Sequence, residues 1–424
     1  MRSEATMTAP RLRVVDPDEV APRIVRAKAE RSARRVMAML SISVAILTVV
    51  GLVMVLSASS ITAFAQFGSS FTFFKKQALY ALLGTGAAAA TARLRYQVWQ
   101  RVWAPLLLFT GFLLLVVLTS SAAVVAGGSA RWIQVGGFSM QPSELAKFSI
   151  VVAVAVILSR HMKHLDEQAR WGVPILGIVA VFGGLILIQP DLGTAMLIAL
   201  TVFVLLFVAG VRLRTLGLSF VLSFGAGMLL ILNEGYRRTR FLSFLHPWQD
   251  PRNTGYQIVQ SLIALGSGHL FGVGLGASRQ KWMYVPNAHT DFIFSIMGEE
   301  LGLIGEIVAL ALFVTLIFAG IRIAMKAPDT FGRLLAAGIT AWLGLQAIVN
   351  VGGATGILPI TGVPLPFVSF GGSSLIVSLG AVGVLFSIGR AELAAASSKG
   401  GSARTAASKG ASDRHRQTGP DRQK

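Results

Sequence analysis

The stretch LLLFTGFLLLVVLT, residues 106–119, belongs to a series of apolar runs about twenty residues long, and this recurrence constrains the fold most. A helix crossing a bilayer core of about 30 Å needs roughly that length. Ten spans are read at about 36–58, 76–93, 102–120, 144–160, 173–190, 192–210, 215–234, 291–320, 333–353 and 373–390. The runs are continuous rather than alternating, which excludes a transmembrane β-barrel. Only 13% of residues are charged, against about a quarter in a soluble domain. The expected fold class is all-α: a polytopic membrane protein of about ten helices, with a large loop between helices 7 and 8.

Charge sets the expected orientation. Arg23, Arg26, Lys28, Arg31, Arg34 and Arg35 precede the first span and place the N-terminus in the cytoplasm. That span is long enough to serve as an uncleaved anchor. Ten crossings return the C-terminus to the same side. The domain organisation is then a basic tail over 1–35, a membrane domain over 36–390 with its outer loop at 235–290, and a disordered basic tail over 391–424. The net charge of +19 lies largely in these tails and in short loops, where topology accounts for it without nucleic acid. The tails would meet anionic membrane lipids, or solvent alone. One segment opposes the trend. The outer loop carries Arg237, Arg238, Arg240, Arg252, Arg279 and Lys281. Either loops of about 60 residues escape the charge rule, or this surface attracts an anionic ligand.

Zero cysteine excludes disulfides and thiol catalysis. The glycine-rich GSGHLFGVGLGAS, residues 266–278, lacks the Gly-Lys-Ser/Thr ending of a phosphate loop and reads as a flexible or re-entrant loop. His246, His269 and His289 share the outer loop without zinc-ligand spacing. Glu144 and Lys147 stand three apart where the fourth span begins, after Pro142. They form either a local helix pair or a lysine that holds phosphate while the glutamate orients it. In VPNAHTDFIFSIMGEELGLIG, residues 285–305, Asp291 is expected in the first helical turn after Thr290 as cap. Glu299 and Glu300 lie about 12 Å deeper at 1.5 Å per residue. They are expected to be internal structural partners, since carboxylates in a membrane need a partner or a purpose.

Five blocks then carry a resemblance: RWIQVGGFSMQPSELAK (131–147), QPDLGTA (189–195), GYQIVQSLIALGSG (255–268), HTDFIFSIMGEELG (289–302) and GILPITGVPLPFVSFGGSS (356–374). In this order they resemble the SEDS glycosyltransferases of shape, elongation, division and sporulation. The run SRQKWMYVPNAHTDFIF is closer to the division-type branch than to the elongation-type one. Asn287 and His269 depart from residues common in the family. The resemblance implies polymerisation of lipid II into glycan strands, with a class B penicillin-binding protein as transpeptidase partner beside other division proteins. It places Asp291 on the family's catalytic aspartate. As general base Asp291 would take the proton of the acceptor sugar's 4-hydroxyl. Arg237, Arg240, Lys281 and Lys147 are candidates to meet the departing undecaprenyl pyrophosphate, with Glu144 orienting Lys147. Gln260 and His289 complete the candidate substrate contacts. No cofactor is assigned; a divalent cation such as Mg2+ would help the pyrophosphate leave, although no ligand cage is visible. A lipid II flippase and a non-enzymatic division scaffold are the rival readings. A flippase needs charge through both leaflets, and a scaffold leaves HTDFIF unexplained.

The topology is directly testable, because single cysteines can be introduced into a cysteine-free chain. A cysteine at position 260 is expected to react with an impermeant reagent from outside the cell. Labelling only from the cytoplasm overturns the orientation.

Overall fold

The computed structural model describes residues 17–119, 123–126, 129–135, 138–233, 235–282 and 288–417. Ten helices of eighteen residues or more form the bundle: α1 (Pro17–Phe67), α2 (Thr72–Arg93), α3 (Gln97–Thr119), α4 (Pro142–Arg160), α5 (Gln168–Ile188), α6 (Leu192–Ala209), α7 (Leu213–Leu232), α10 (Ile293–Lys326), α11 (Thr330–Ala354) and α12 (Gly372–Gln417). Two shorter helices, α8 (Gly235–Leu245) and α9 (Tyr256–Ser267), lie between α7 and α10. Among the described residues nine helices are long and apolar enough to cross a membrane. The tenth long helix, α2, is less apolar because it carries Lys75, Lys76 and Gln77 near its start and Arg93 at its end.

Small residues bring α2 against α12. A Cβ on Gly383 would stand 2.2 Å from the Ala88 carbonyl oxygen, and one on Gly84 2.6 Å from Leu379. Thr91 donates across the contact to the Gly380 carbonyl at 2.8 Å. Close backbone approach and polar cross-links replace the hydrophobic drive that lipid removes. The α4 span is 89% buried and forms the centre, whereas α7 is 11% buried and lies at the periphery.

The all-α bundle is as expected, with two added features and one revision. The all-α bundle also carries a small antiparallel sheet, β1 (Ala123–Ala126), β2 (Ser129–Val135) and β3 (Phe138–Met140), in the order β1-β2-β3. β-Branched and aromatic residues favour strands there, outside the helix spans. Helix α12 extends to Gln417, in keeping with the alanine content of its later part. Helix α10 begins at Ile293 with Phe292 as N-cap, so Thr290 is not the cap and Asp291 precedes the helix instead of occupying its first turn.

The segment 268–278 is an irregular hairpin packed beside a broken α10. Gly302 has φ 70° and ψ −173°, which interrupts the helix. The exposed backbone groups are taken up by the hairpin: Leu303 N–H donates to the His269 carbonyl at 2.9 Å and Val273 N–H to the Glu299 carbonyl at 2.9 Å. Irregular backbone at membrane depth persists when it is bonded internally in this way. The two glutamates pin the returning strand. Glu299 accepts from Ser278 Oγ and from Arg279 N–H at 2.9 Å. Glu300 accepts from Ser57 Oγ of α1 at 2.6 Å and lies 3.6 Å from Lys281 Nζ. Both serve as the internal partners expected of them.

At Gly302 a Cβ would fall 2.3 Å from Gly272 N, on a positive φ. Gly302→Ala is expected to destabilise the protein by about 2 kcal/mol or more, read as a lower melting temperature in detergent. Gly177→Ala, where a Cβ meets nothing within 4 Å, serves as the neutral control.

Candidate active site

The site is built where α11 ends. Gly356, Gly362, Pro359, Pro364 and Pro366 stop the helix and turn the chain back, the glycines at φ 70° and 75°. The returning segment grips residues 289–291 by their backbone. The His289 carbonyl accepts from Phe370 N–H at 2.9 Å. The Thr290 carbonyl accepts from Ser369 Oγ at 2.6 Å, and the Asp291 carbonyl from Asn350 Nδ2 at 3.0 Å. Gln77 of α2 buttresses the segment, donating to the Ser369 carbonyl at 3.1 Å. Three successive carbonyls are thus held, and the half-buried Asp291 side chain stands at a small pocket lined also by Asn350, Thr361 and Gly362. The N-terminus of α10 begins two residues later, and its positive end favours a carboxylate.

Beneath this mouth lies a buried ion pair. Lys147 Nζ donates to Glu144 Oε1 at 2.9 Å and to Gln346 Oε1 at 2.8 Å. The two side chains are 2% and 1% exposed. Gln346 in turn donates to the Pro364 carbonyl at 2.9 Å, so the pair braces the returning segment. A similar role falls to Asp191, which caps α6 through Thr194 N–H at 3.1 Å. Gly193 allows that helix to meet the segment, because a Cβ there would lie 2.4 Å from the Thr361 carbonyl oxygen.

The candidate contacts therefore separate. Lys147 is committed to Glu144 and Gln346 inside the bundle, which favours the local helix pair over a phosphate ligand, and Glu144 shares that burial. Lys281 is likewise enclosed: it is 6% exposed and turned inward to Glu300 and the Gly276 carbonyl. Arg237 and Arg240 stand on α8, and their side chains lie outside the described residues, as does Asn287. Gln260 is half-buried on α9, beside Ser261, whose hydroxyl anchors that helix to the Ala354 carbonyl at 2.6 Å. His289 packs between Phe73 and Phe370, with ring centroids at 4.8 and 5.6 Å. Among the described residues no three His, Asp or Glu side chains gather to hold a metal ion.

Gln346, Asn350 and Ser369 escaped the reading of the sequence. A signal exists: Gln346 and Asn350 are four apart in an apolar span, which places both on one helix face. Polar residues there mark a functional interior.

A membrane helix bundle with one carboxylate held by its backbone at the mouth defines the class. Residues 37–393 match the model of the FtsW, RodA and SpoVE family, described as cell cycle protein, and the chain belongs to that family. Among its relatives, "Probable peptidoglycan glycosyltransferase FtsW" of Geobacter metallireducens is 44% identical over 342 residues, covering 81% of this chain and 91% of the relative. Stage V sporulation protein E of Bacillus subtilis is also 44% identical, over 346 residues, covering 81% of this chain and 94% of that one. A solved structure reported as "Structural coordination of polymerization and crosslinking by a peptidoglycan synthase complex" aligns with a TM-score of 0.69 at 29% identity, covering 83% of this chain and 97% of that chain. The rod shape determining protein RodA of Thermus thermophilus aligns at 0.61 and 28% identity, covering 83% and 95% respectively.

Burial lowers the pKa of His289 from 6.5 to about 4, so the ring is neutral at pH 7. As pH falls through 6.5 only the unfolded chain gains this proton, and stability drops until about pH 4. From pH 7 to 5 the group costs about 2 kcal/mol. His289→Phe is expected to lose less melting temperature over that interval than the parent; an identical loss removes His289 as the cause.

Proposed function

We propose that this chain is a division-type peptidoglycan glycosyltransferase that polymerises lipid II into glycan strands, with Asp291 as general base. The family relationship supports the activity, and the observation that carries the residue assignment is the three-carbonyl grip on 289–291, which presents the Asp291 carboxylate at the pocket. In the reaction the acceptor sugar's 4-hydroxyl oxygen bonds to the anomeric carbon of the donor. Its proton passes to Asp291 as the bond to the phosphate oxygen breaks and undecaprenyl pyrophosphate departs. Attack opposite the leaving group inverts the anomeric centre, and no covalent enzyme intermediate is needed.

Charge accumulates on the departing pyrophosphate. Arg237 and Arg240 of α8 remain the candidates to meet it, whereas Lys147 and Lys281 act from inside the bundle by holding the mouth and the hairpin. Gln260 and neutral His289 are assigned to hydrogen bonding with the sugar or peptide. Both termini are placed in the cytoplasm and the Asp291 end outside, at the division septum. A class B penicillin-binding protein is the transpeptidase partner in this reading, and other division proteins recruit the pair.

Asp291→Asn keeps the shape and loses the base. Lipid II polymerisation by the purified variant, with its partner present, is expected to fall by at least about a hundredfold. Membrane insertion, partner binding and lipid II binding should persist. Parent-level polymerisation overturns the assignment, and loss of lipid II binding in a folded variant would make Asp291 a substrate-positioning group instead.

A further inference from the structure

We propose that Asn350 is a positioning residue for this reaction, aiming the Asp291 carboxylate by tying together the two chain segments that flank the pocket. The inference rests on the reading of Asp291 as base. Asn350 is 4% exposed on α11, near the helix end. Its Nδ2 donates to the Asp291 carbonyl at 3.0 Å and to the Val363 carbonyl at 2.9 Å. One amide group therefore spans residues that are 72 apart in sequence, 291 and 363. Asp291 and Gly362 face each other across the pocket, where a Cβ on Gly362 would lie 3.9 Å from Asp291 Oδ2. Asn350 holds these two walls together at the pocket itself, beside the bonds of Phe370 to His289 and Ser369 to Thr290.

The orientation of the amide is not arbitrary. Turning it over would bring Oδ1 against two carbonyl oxygens, so the donors face the backbone and Oδ1 faces away. Oδ1 is then a buried acceptor with no hydrogen-bond partner among the described residues. An unmatched buried acceptor is costly, and an apolar side chain of similar volume would fill the site without it. What an apolar residue lacks is a pair of donors aimed at Asp291 and Val363. Asn350 also lies one turn beyond Gln346, which donates to the adjoining Pro364 carbonyl at 2.9 Å. Gln346 is anchored by the Lys147–Glu144 pair, while Asn350 joins the returning segment to Asp291. Misplacement of a reacting group by about 1 Å costs rate of the order of a hundredfold.

The test uses the purified full-length chain with its transpeptidase partner and synthetic lipid II. Asn350→Ala is expected to lower kcat by about tenfold to a hundredfold with KM near that of the parent, and to lower the melting temperature as well, because two buried carbonyls lose their donor. A parental kcat, or a change confined to KM, overturns the proposal. Should the alanine variant fail to fold, Asn350→Leu decides, because it fills the space and loses both donors without burying a charge: a fall in kcat at unchanged KM supports the proposal, and a parental kcat overturns it. Asp291→Asn run in parallel separates the two ideas. If that variant is inactive while both Asn350 variants polymerise normally, only the positioning role fails. If Asp291→Asn polymerises at the parent rate, the reading of the site fails first.

Discussion

A peptide group surrounded by hydrocarbon has no water to bond, and each one left unpaired costs several kcal/mol. Two departures from a straight helix among the described residues answer to that requirement. Where α10 breaks at Gly302, the hairpin after α9 supplies donors and acceptors to both sides of the break. Where α11 ends at Ala354, the returning segment is satisfied by Gln77, Gln346, Asn350 and Ser369. The carboxylates follow the same rule. Glu299 and Glu300 are surrounded by the donors of residues 278–281 and Ser57, and Glu144 is paired with Lys147. Asp291, half-buried at the mouth, differs from them in facing the pocket.

The interior polar groups therefore do two kinds of work at once. They remove the cost of irregular backbone, and they fix where the irregular backbone goes. Lys147 illustrates both. Its charge is compensated by Glu144, and through Gln346 it reaches the Pro364 carbonyl of the segment that embraces residues 289–291. A cation placed to bind a phosphate would keep an open coordination sphere, whereas this one is enclosed and lies 5.4 Å from the Trp342 ring. The electrostatic character of the bundle is thus structural inside, with exposed cations such as Arg238, Arg252 and Arg279 left to the surface.

Most of the helices were legible in the amino-acid pattern because twenty-residue apolar runs have one solution in a bilayer. Even α2, with lysines near its start and an arginine at its end, was bounded by its flanks. Asp291 and the Glu144–Lys147 pair were visible as charges out of place. The direction each side chain takes was not visible. Lys281 sits among loop arginines in the sequence, yet the return of the hairpin turns it inward to Glu300. Thr290 has the composition of a helix cap, but its carbonyl is already engaged by Ser369 and the helix starts three residues later. Asn350 is unremarkable as one amide in an apolar span. Its role follows only from the reversal of the chain after Gly356, a tertiary event that local spacing does not encode.

The interruption at Gly302 has a mechanical side. It divides α10 into two rigid rods that meet at a single residue. The shorter rod, 293–301, is hydrogen-bonded to the hairpin at Glu299 and Glu300 and leads straight back to Asp291. The longer rod packs along α11, where Gly320 admits Thr340. The hairpin is bonded to both rods, to the short one at Glu299 and Glu300 and to the long one at Leu303 and Ile304, so it clamps the angle at which they meet.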